Sequence, residues 1–209
     1  MPYNIYIMER ERLFLKKKAG KKERIETIKW AATNNYNTIV FPLIECYKGL
    51  SRDYIKLAKK YDLAIEAGGH ELSLLLPRRL FLFHKDLFRM EQGRRKKARH
   101  FCPTNHKSTE VISLQTRKLF ARSMQILTPP FVFHLFPDEG FENVWCACPA
   151  CRAFTPAEQN IIAVNSAADV LAKFDPQALL SYLEFGNEPE KPGITPRKNM
   201  FMLKNIAMN

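Results

Sequence analysis

The sequence predicts an α/β fold, a parallel (β/α) barrel of the TIM type that is incomplete, with about five βα units. Short apolar runs typical of buried strands alternate with stretches that have the periodicity of amphipathic helices, which favours parallel strands joined by helical crossovers. A doubly wound sheet is the alternative that this alternation allows. The chain has 209 residues, whereas a complete barrel usually needs about 200 to 250 residues and eight strands, and only five strands are predicted.

The first half of the chain supplies three of these strands, at residues 4–8, 38–44 and 63–67. A helix at residues 23–34 separates the first two strands. A second helix begins after Ser51, a residue type that caps helix N-termini, and its apolar side chains recur at the spacing of one helix face. Gly68-Gly69 ends the third strand.

The second half opens with a long basic stretch, residues 70–107, that has no regular period. A helix at residues 108–124 and a strand at residues 131–136 follow. The clearest helix begins at Thr155-Pro156-Ala157-Glu158, which has the pattern of a capping box with proline at the first helical position. Residues 179–185 form the last predicted strand. We expect a single domain over residues 1–189 and an irregular tail over residues 190–209.

The chain carries a formal net charge of +12, and its basic residues are unevenly distributed. Ten of the 33 Lys and Arg residues lie between residues 78 and 107, which we call the basic loop. Such a loop fits the acidic group of a sugar or the phosphates of a nucleic acid. With 46% hydrophobic and 26% charged residues, the composition excludes a disordered or collagen-like chain. The sequence has neither an apolar run long enough for a membrane span nor a signal-peptide pattern, so we expect a cytoplasmic protein without a membrane partner.

The carboxyl ends of parallel strands form the active-site rim in folds of this type, so polar residues just after each strand are the site candidates. Asp138-Glu139 follows the strand at 131–136, and Glu184 ends the last strand; these three carboxylates are the catalytic candidates. A solvated acidic turn is the alternative for Asp138-Glu139. The substrate-binding candidates are His70, Glu71, Arg78, Asn105, His134, Trp145 and Tyr182. For His134, a hydrogen-bonded position in the core is the alternative.

Three cysteines lie close together in the run Cys146-Ala-Cys148-Pro-Ala-Cys151, and the Cys-x-x-Cys spacing is typical of a zinc knuckle. Cys102 is the natural fourth ligand because it belongs to the preceding strand-end loop, with His100 as the alternative. We expect a structural zinc ion rather than disulfides, because the thiols of a cytoplasmic protein are reduced. Buried free cysteines that only pack together are the other interpretation.

Four segments together resemble the DUF4838 family, which is similar to the glycoside hydrolases that include the family 20 hexosaminidases and family 67 α-glucuronidases. These segments are HFCPTN, FHLFPDEG, WCACPACRAFTPAEQNIIAVNSAADVL and GGHELSLLLPRRLF, and the resemblance extends over residues 23–185. It implies a (β/α)8-type fold and action on sugars. In the hexosaminidases an Asp-Glu pair ends the fourth strand. By this resemblance Glu139 is the general acid and Asp138 orients a substrate group.

The leading functional hypothesis is therefore a glycoside-hydrolase-like domain that binds a carbohydrate, with hydrolysis as a further hypothesis. The basic loop favours an acidic sugar. The rival is a nucleic-acid-binding module that uses the same loop, in which Phe81, Phe83 and Phe88 alternate with Lys and Arg. A catalytically inactive, truncated barrel is the third alternative.

Overall fold

A computed structural model describes residues 7, 9–98, 100–140, 144–183 and 193–204. The strands are β1 (Arg12–Phe14), β2 (Thr38–Phe41), β3 (Ala64–Gly69), β4 (Met90–Glu91), β5 (Arg94–Arg95), β6 (Val132–Leu135), β7 (Leu179–Leu183) and β8 (Met200–Leu203). The α-helices are α1 (Lys21–Thr33), α2 (Leu43–Lys48), α3 (Arg52–Lys60), α4 (His106–Met124) and α5 (Pro156–Phe174). Short 3-10 helices occupy Leu72–Leu75, Arg78–Leu82, Lys85–Leu87 and Cys151–Ala153.

Six of the strands form one sheet in the order β1-β2-β3-β6-β7-β8, and every neighbouring pair is parallel. The sheet is a curled half-barrel, so the predicted incomplete α/β barrel is confirmed. The strands β4 and β5 form a separate antiparallel hairpin within the basic loop. No helix among the described residues has the length and apolar content needed to cross a membrane.

One face of the sheet packs against all the long helices. Leu13, Phe41 and Phe133 of this face belong to the same buried apolar cluster as Ile28 of α1 and Ile112 of α4. Because the helices share one core on one side of the sheet, the structure has the arrangement of a barrel wall. The doubly wound alternative, which needs helices on both faces, is wrong.

The opposite, inner face carries three layers of side chains, as expected from the alternation of side chains along strands. The lower apolar layer consists of Ile7, Val132, Leu179 and Phe201. The upper apolar layer consists of Phe14, Val40 and Phe136. Between them lies a buried polar layer made by Arg12, Glu66, His134 and Ser181, which come from β1, β3, β6 and β7.

The polar layer is held together by Glu66. Its Oε2 accepts hydrogen bonds from Arg12 Nε at 2.6 Å and from His134 Nε2 at 2.8 Å, while His134 Nδ1 lies 2.6 Å from Ser181 Oγ. Arg10 Nη1 reaches the other carboxylate oxygen at 2.9 Å. Burial alone would raise the pKa of the Glu66 carboxyl, but the hydrogen bonds from His134 and Arg12 and the charge of Arg12 lower it to about 2.

Two strands differ from the sequence prediction. The strand expected at residues 4–8 falls mostly outside the described residues, and Ile7, the residue of that stretch that is described, is not in a strand. The first strand of the sheet is instead β1. The tail at 190–209 is not irregular throughout, because it contributes β8, which pairs with β7.

The basic stretch, expected to be irregular, forms three short 3-10 helices and the β4–β5 hairpin.

Candidate functional site

A cleft of about 510 Å³ opens at the carboxyl ends of the strands. Its walls are Phe14, Leu15, Lys16, Lys17, Lys18, Pro42, Gly68, Gly69, His70, Asp138 and Glu139. These residues follow or end β1, β2, β3 and β6, the first four strands of the sheet. The cleft therefore occupies the rim where the fold places its reactive groups. Of the predicted site residues, His70, Asp138 and Glu139 come together here.

Asp138 is buried at the edge of this cleft. Its Oδ1 accepts a hydrogen bond from Ser73 Oγ at 2.8 Å. Its Oδ2 is buried and has no hydrogen-bond partner among the described residues. A buried carboxylate oxygen without a donor is costly to leave unpaired, so this atom is available to accept a hydrogen bond from a ligand.

The backbone of Asp138 is held by His100. The Asp138 N–H donates to His100 Nε2 at 3.1 Å, and His100 Nδ1 donates to the Val144 carbonyl oxygen at 2.9 Å. Since a carbonyl oxygen only accepts, Nδ1 carries the proton and Nε2 is the acceptor. Burial lowers the pKa of His100, which favours this neutral form. The imidazole also stacks on Trp145, with ring centroids 4.6 Å apart.

Glu139 and the buried His70 also line the rim of the cleft. Glu139 is exposed and faces the cleft. The Nδ1 of His70 lies 2.5 Å from the carbonyl oxygen of Pro137, which ties the end of β3 to the turn that carries the two carboxylates. Lys17 Nζ donates to the His70 carbonyl oxygen at 2.5 Å from the other side. An exposed carboxyl beside a buried one is an arrangement that can separate an acid from a charge-orienting group.

Several predicted substrate contacts have other surroundings in the structure. Glu71 is buried, and its carboxylate accepts a hydrogen bond from the backbone N–H of Leu43, so it caps α2. Burial raises the pKa of Glu71, and the nearby charge of Lys17 opposes that shift. Asn105 caps α4, because its Oδ1 accepts from the Lys107 N–H at 2.9 Å. Both residues serve as helix caps rather than cleft walls.

Three further candidates are core residues. His134 is fully buried in the polar layer, which corresponds to the alternative of a hydrogen-bonded core histidine. Trp145 is buried beneath His100. Tyr182 packs against the core shared with the helices, on the face of the sheet opposite to the polar layer. None of these three lines the cleft. The third catalytic candidate, Glu184, lies outside the described residues.

Arg78 lies beside the turn that carries Asp138 and Glu139, without lining the main cleft. Its guanidinium donates to the Ser73 carbonyl oxygen at 2.7 Å and to that of Lys97 at 2.9 Å. Burial lowers its pKa to about 10, an effect that the charge of Asp138 opposes. A second cleft of about 460 Å³ is lined by both Arg78 and Asp138. Asp138 thus separates two openings, and Arg78 faces the smaller one.

Much of the basic loop is used for its own folding. Phe88 is buried, and Phe81 packs against its ring with centroids 5.1 Å apart. Arg95 Nη1 donates to the Phe88 carbonyl oxygen at 2.7 Å, and the buried Arg89 pairs with Glu91. Of the three phenylalanines proposed for base stacking, only Phe83 is largely exposed, at 82%. The loop therefore offers fewer free aromatic and basic groups than its sequence indicates.

The four predicted metal ligands meet in one buried cluster. The Sγ atoms of Cys102, Cys146, Cys148 and Cys151 all lie within 4.8 Å of one another. Cys102 Sγ is 3.7 Å from Cys148 Sγ and 3.6 Å from Cys151 Sγ. Sulfurs at about 2.3 Å from a tetrahedral zinc ion would be separated by about 3.8 Å, so the cluster has the size of a four-sulfur metal site. The four cysteines lie close enough to share one metal ion.

Gln159, which the sequence did not single out, holds the cysteine loop against α5. Its Nε2 lies 3.2 Å from the carbonyl oxygens of Cys146 and Cys151, and its Oε1 accepts from the Cys146 N–H at 3.1 Å. The residue lies one turn after the Thr155 capping box, so its position on the buried side of α5 could have been read from the helical period. Its hydrogen bonds to the loop could not, because they depend on the tertiary fold.

Lys16, Lys17 and Lys18 are cleft residues that were missed as site candidates. The sequence placed the first strand at residues 4–8, which left this lysine run in an unassigned connection. With β1 at Arg12–Phe14, the same run becomes the loop that follows the first strand. Its position on the rim follows directly from the location of β1.

Comparisons with known proteins reveal similarity in three dimensions only. Neither a protein-family model nor a curated protein matches the chain, so the resemblance to DUF4838 has no support from a family model. One similar structure comes from a pneumococcal exo-β-D-N-acetylglucosaminidase, an enzyme with tandem family 20 glycoside hydrolase catalytic modules. It matches with a TM-score of 0.58 at 11% identity, over 96% of this chain and 60% of that chain.

A β-galactosidase from the Antarctic haloarchaeon Halorubrum lacusprofundi is also similar, with a TM-score of 0.50 at 11% identity. The match covers 86% of this chain and 37% of that chain. The chain therefore spans less than two thirds of the length of either structure. At such low identity the similarity establishes the fold alone. The chain shares part of the fold of these two structures, an incomplete parallel α/β barrel.

Proposed function

We propose that the chain is a glycoside-hydrolase-like module that binds a carbohydrate in the rim cleft and hydrolyses it, with Glu139 as proton donor and Asp138 as the residue that orients the substrate. The supporting observation is that Asp138 and Glu139, in the turn after β6, the fourth strand of the sheet, line the cleft together with His70. The similarity of the fold to those of two glycoside hydrolases supports this proposal by analogy.

The two carboxyl groups are suited to different roles. Glu139 is exposed to the cleft, where its carboxyl can give a proton to the leaving-group oxygen of a glycoside. Asp138 is fixed by Ser73 and His100, and its unpaired Oδ2 can accept a hydrogen bond from an N–H or O–H group of the sugar. An adjacent pair of this kind fits a reaction assisted by an amide of the substrate. Glu184 remains a third carboxylate candidate on sequence grounds.

Hydrolysis of aryl glycosides tests this proposal. We expect the parent chain to cleave at least one 4-nitrophenyl glycoside from a panel of N-acetylglucosaminide, galactoside and glucuronide. Replacing Glu139 by Gln should lower kcat by about a hundredfold or more while leaving binding intact, because the acid acts in the transition state. Glu26→Gln, an exposed position on α1, is the matched control. Equal turnover by Glu139→Gln and Glu26→Gln would remove Glu139 from the mechanism.

Binding measurements separate the rival functions. An inactive parent that still binds an oligosaccharide in the cleft would identify a truncated, catalytically inactive barrel. Binding to single-stranded DNA or RNA that falls steeply with salt concentration, with no binding to sugars, would instead support the nucleic-acid module. The exposed Phe83 would then be the base-stacking residue, and Phe83→Ala should weaken that binding.

We further propose that the cysteine cluster binds a structural zinc ion. The size of the cluster and the all-sulfur ligand set fit zinc, and four thiolates fill a tetrahedral shell with no open position for a reactive water. The ion would join the hairpin, the loop before α4 and the loop before α5, because Met90 N also contacts Cys146 Sγ at 3.2 Å. Two ligands are close in sequence to His100 and its stacking partner Trp145: Cys102 lies two positions after His100, and Cys146 directly follows Trp145.

A further inference from the structure

Three consecutive lysines form one wall of the rim cleft. Lys16, Lys17 and Lys18 are exposed and line the same cleft as Asp138 and Glu139, from the loop that follows β1. No carboxylate of the described residues forms an ion pair with any of the three. The cleft therefore has a cationic wall at the first strand and a carboxylate wall at the fourth.

The lysine loop is held in place from beneath. Arg24, a buried residue of α1, donates from Nη2 to the Lys16 carbonyl oxygen at 2.6 Å and forms an ion pair with Glu45. Lys17 Nζ is held by the His70 carbonyl oxygen, so its ammonium lies at the rim of β3. These contacts fix the backbone of the loop before any ligand arrives, which reduces the entropy lost when a ligand binds.

Lys17 is engaged by the His70 carbonyl oxygen, so Lys16 and Lys18 are the lysines of this wall that can bind a ligand. The side chains of Lys16 and Lys18 carry like charges on the same wall of the cleft, and a bound anion would offset their repulsion. The amino group of lysine binds carboxylate, sulfate or phosphate as a compact point charge with three donors. The carboxylates on the opposite wall disfavour an anion next to Glu139, so charge alone gives an acidic ligand one orientation in the cleft.

We propose that Lys16 and Lys18 bind an anionic substituent, a carboxylate or a sulfate, of a carbohydrate whose neutral part lies against Asp138 and Glu139. This inference rests on the proposed function. The sheet curls between the two walls, so that Phe14 of β1 packs against Phe136 after β6, with ring centroids 5.6 Å apart. The charged group of such a ligand lies at the lysine wall, and its neutral part lies at the carboxylate wall. The basic loop, which the sequence favoured for this role, does not line the cleft.

Calorimetric titration with three matched tetrasaccharides tests the proposal: N-acetylchitotetraose as the neutral ligand, a hyaluronan fragment for carboxylate and a keratan sulfate fragment for sulfate. The parent should bind one acidic ligand about tenfold or more tightly than the neutral one. In Lys16→Ala/Lys18→Ala this preference should disappear while the neutral affinity is retained. Lys56→Ala/Lys59→Ala removes two exposed charges from α3 and should keep the preference.

The outcomes separate this inference from the proposed function. The lysine subsite is overturned if the parent binds all three ligands with equal affinity. It is also overturned if both double variants lose the preference for the acidic ligand equally. In either case the proposal of a carbohydrate-binding cleft stands. Failure of the parent to bind any of the three overturns both proposals. A preference for the hyaluronan fragment identifies carboxylate as the recognised group, and a preference for the keratan sulfate fragment identifies sulfate.

Discussion

The backbone N–H of Asp138 donates a hydrogen bond to Nε2 of His100, a residue 38 positions earlier in the chain. This contact joins the rim carboxylate to the loop that carries Cys102. It also fixes the tautomer of His100, because the other ring nitrogen donates to the Val144 carbonyl oxygen. Asp138 is therefore hydrogen-bonded to the loop that supplies one of the four clustered cysteines, although no cysteine lines the cleft.

Amide hydrogen exchange should reveal this contact. In His100→Gln the side-chain amide reaches the position of Nε2, so its oxygen can accept a hydrogen bond from the Asp138 N–H. In His100→Asn the shorter side chain reaches only the position of Nδ1. We expect the Asp138 amide to exchange faster in His100→Asn than in His100→Gln, while each variant loses about 1 kcal/mol of stability from one broken hydrogen bond. Identical exchange rates of the Asp138 amide in the two variants would show that His100 does not hold it.

Metal analysis tests the cysteine cluster. Protein purified without chelator should contain about one zinc ion per chain, and chelation should lower its melting temperature. Cys151→Ala should abolish zinc binding. Cys46→Ala is the control, because Cys46 is buried in α2 away from the cluster and should leave the zinc content unchanged. If protein purified without chelator contains no metal, and a chelator does not change its melting temperature, the four cysteines are held together by packing of free thiols alone.

The polar layer makes stability depend on pH. The folded pKa of Glu66 is about 2, below its ordinary value of 4.5, so its contribution is fully present above pH 4.5 and is lost as the pH falls towards 2. Glu66→Gln leaves the buried Arg12 without its counter-ion and should cost about 3 kcal/mol at pH 7. Urea unfolding between pH 3 and 7 measures both effects.

In Glu66→Gln the loss of stability between pH 4.5 and 3 should be smaller than in the parent, because the group that titrates has been removed. Asp53→Asn breaks the exposed ion pair with Lys21 and should change stability little. Parallel pH profiles for the parent and Glu66→Gln would contradict the assignment of the depressed pKa to Glu66.

Two neighbouring glycines provide a matched pair. Gly68 and Gly69 have φ values of +134° and +133°, so alanine at either position is strained by about 1 to 3 kcal/mol. A Cβ on Gly68 would in addition lie 2.0 Å from the carbonyl oxygen of His134, whereas a Cβ on Gly69 meets only Phe14, at 3.9 Å. We expect Gly69→Ala to fold with reduced stability and Gly68→Ala to lose several kcal/mol more. Equal urea midpoints would contradict this.

The elements that the sequence predicted well are those with local signals. The capping box at the start of α5 is present, because Thr155 Oγ accepts from the Glu158 N–H at 3.2 Å and Glu158 accepts from the Thr155 N–H at 2.9 Å. The cysteine cluster was also predictable, including Cys102, since the loops after neighbouring parallel strands lie side by side. The position of Asp138 and Glu139 on the rim followed from the end of an apolar strand.

The strand β1 could not be predicted because its burial depends on a residue of another strand. Arg12 in the sequence has the character of a surface residue, and its burial is possible only because Glu66 meets it from β3, 54 residues later. The error then extended to the site, because the lysines after β1 were not recognised as rim residues. The strand β8 was missed because its apolar run is only four residues long, whereas the runs that predicted β2 and β6 extend beyond those strands.

The polar layer also has a consequence for how the strands align during folding. Arg12, Glu66, His134 and Ser181 meet only when their strands have one particular register. A slip of one residue in β3 would turn Glu66 towards the apolar core under the helices, where Ala67 now lies, and would leave Arg12 buried with an uncompensated charge. Misaligned sheets are therefore several kcal/mol less stable than the native one. The charged layer selects a single alignment in a sheet whose two apolar layers would tolerate others.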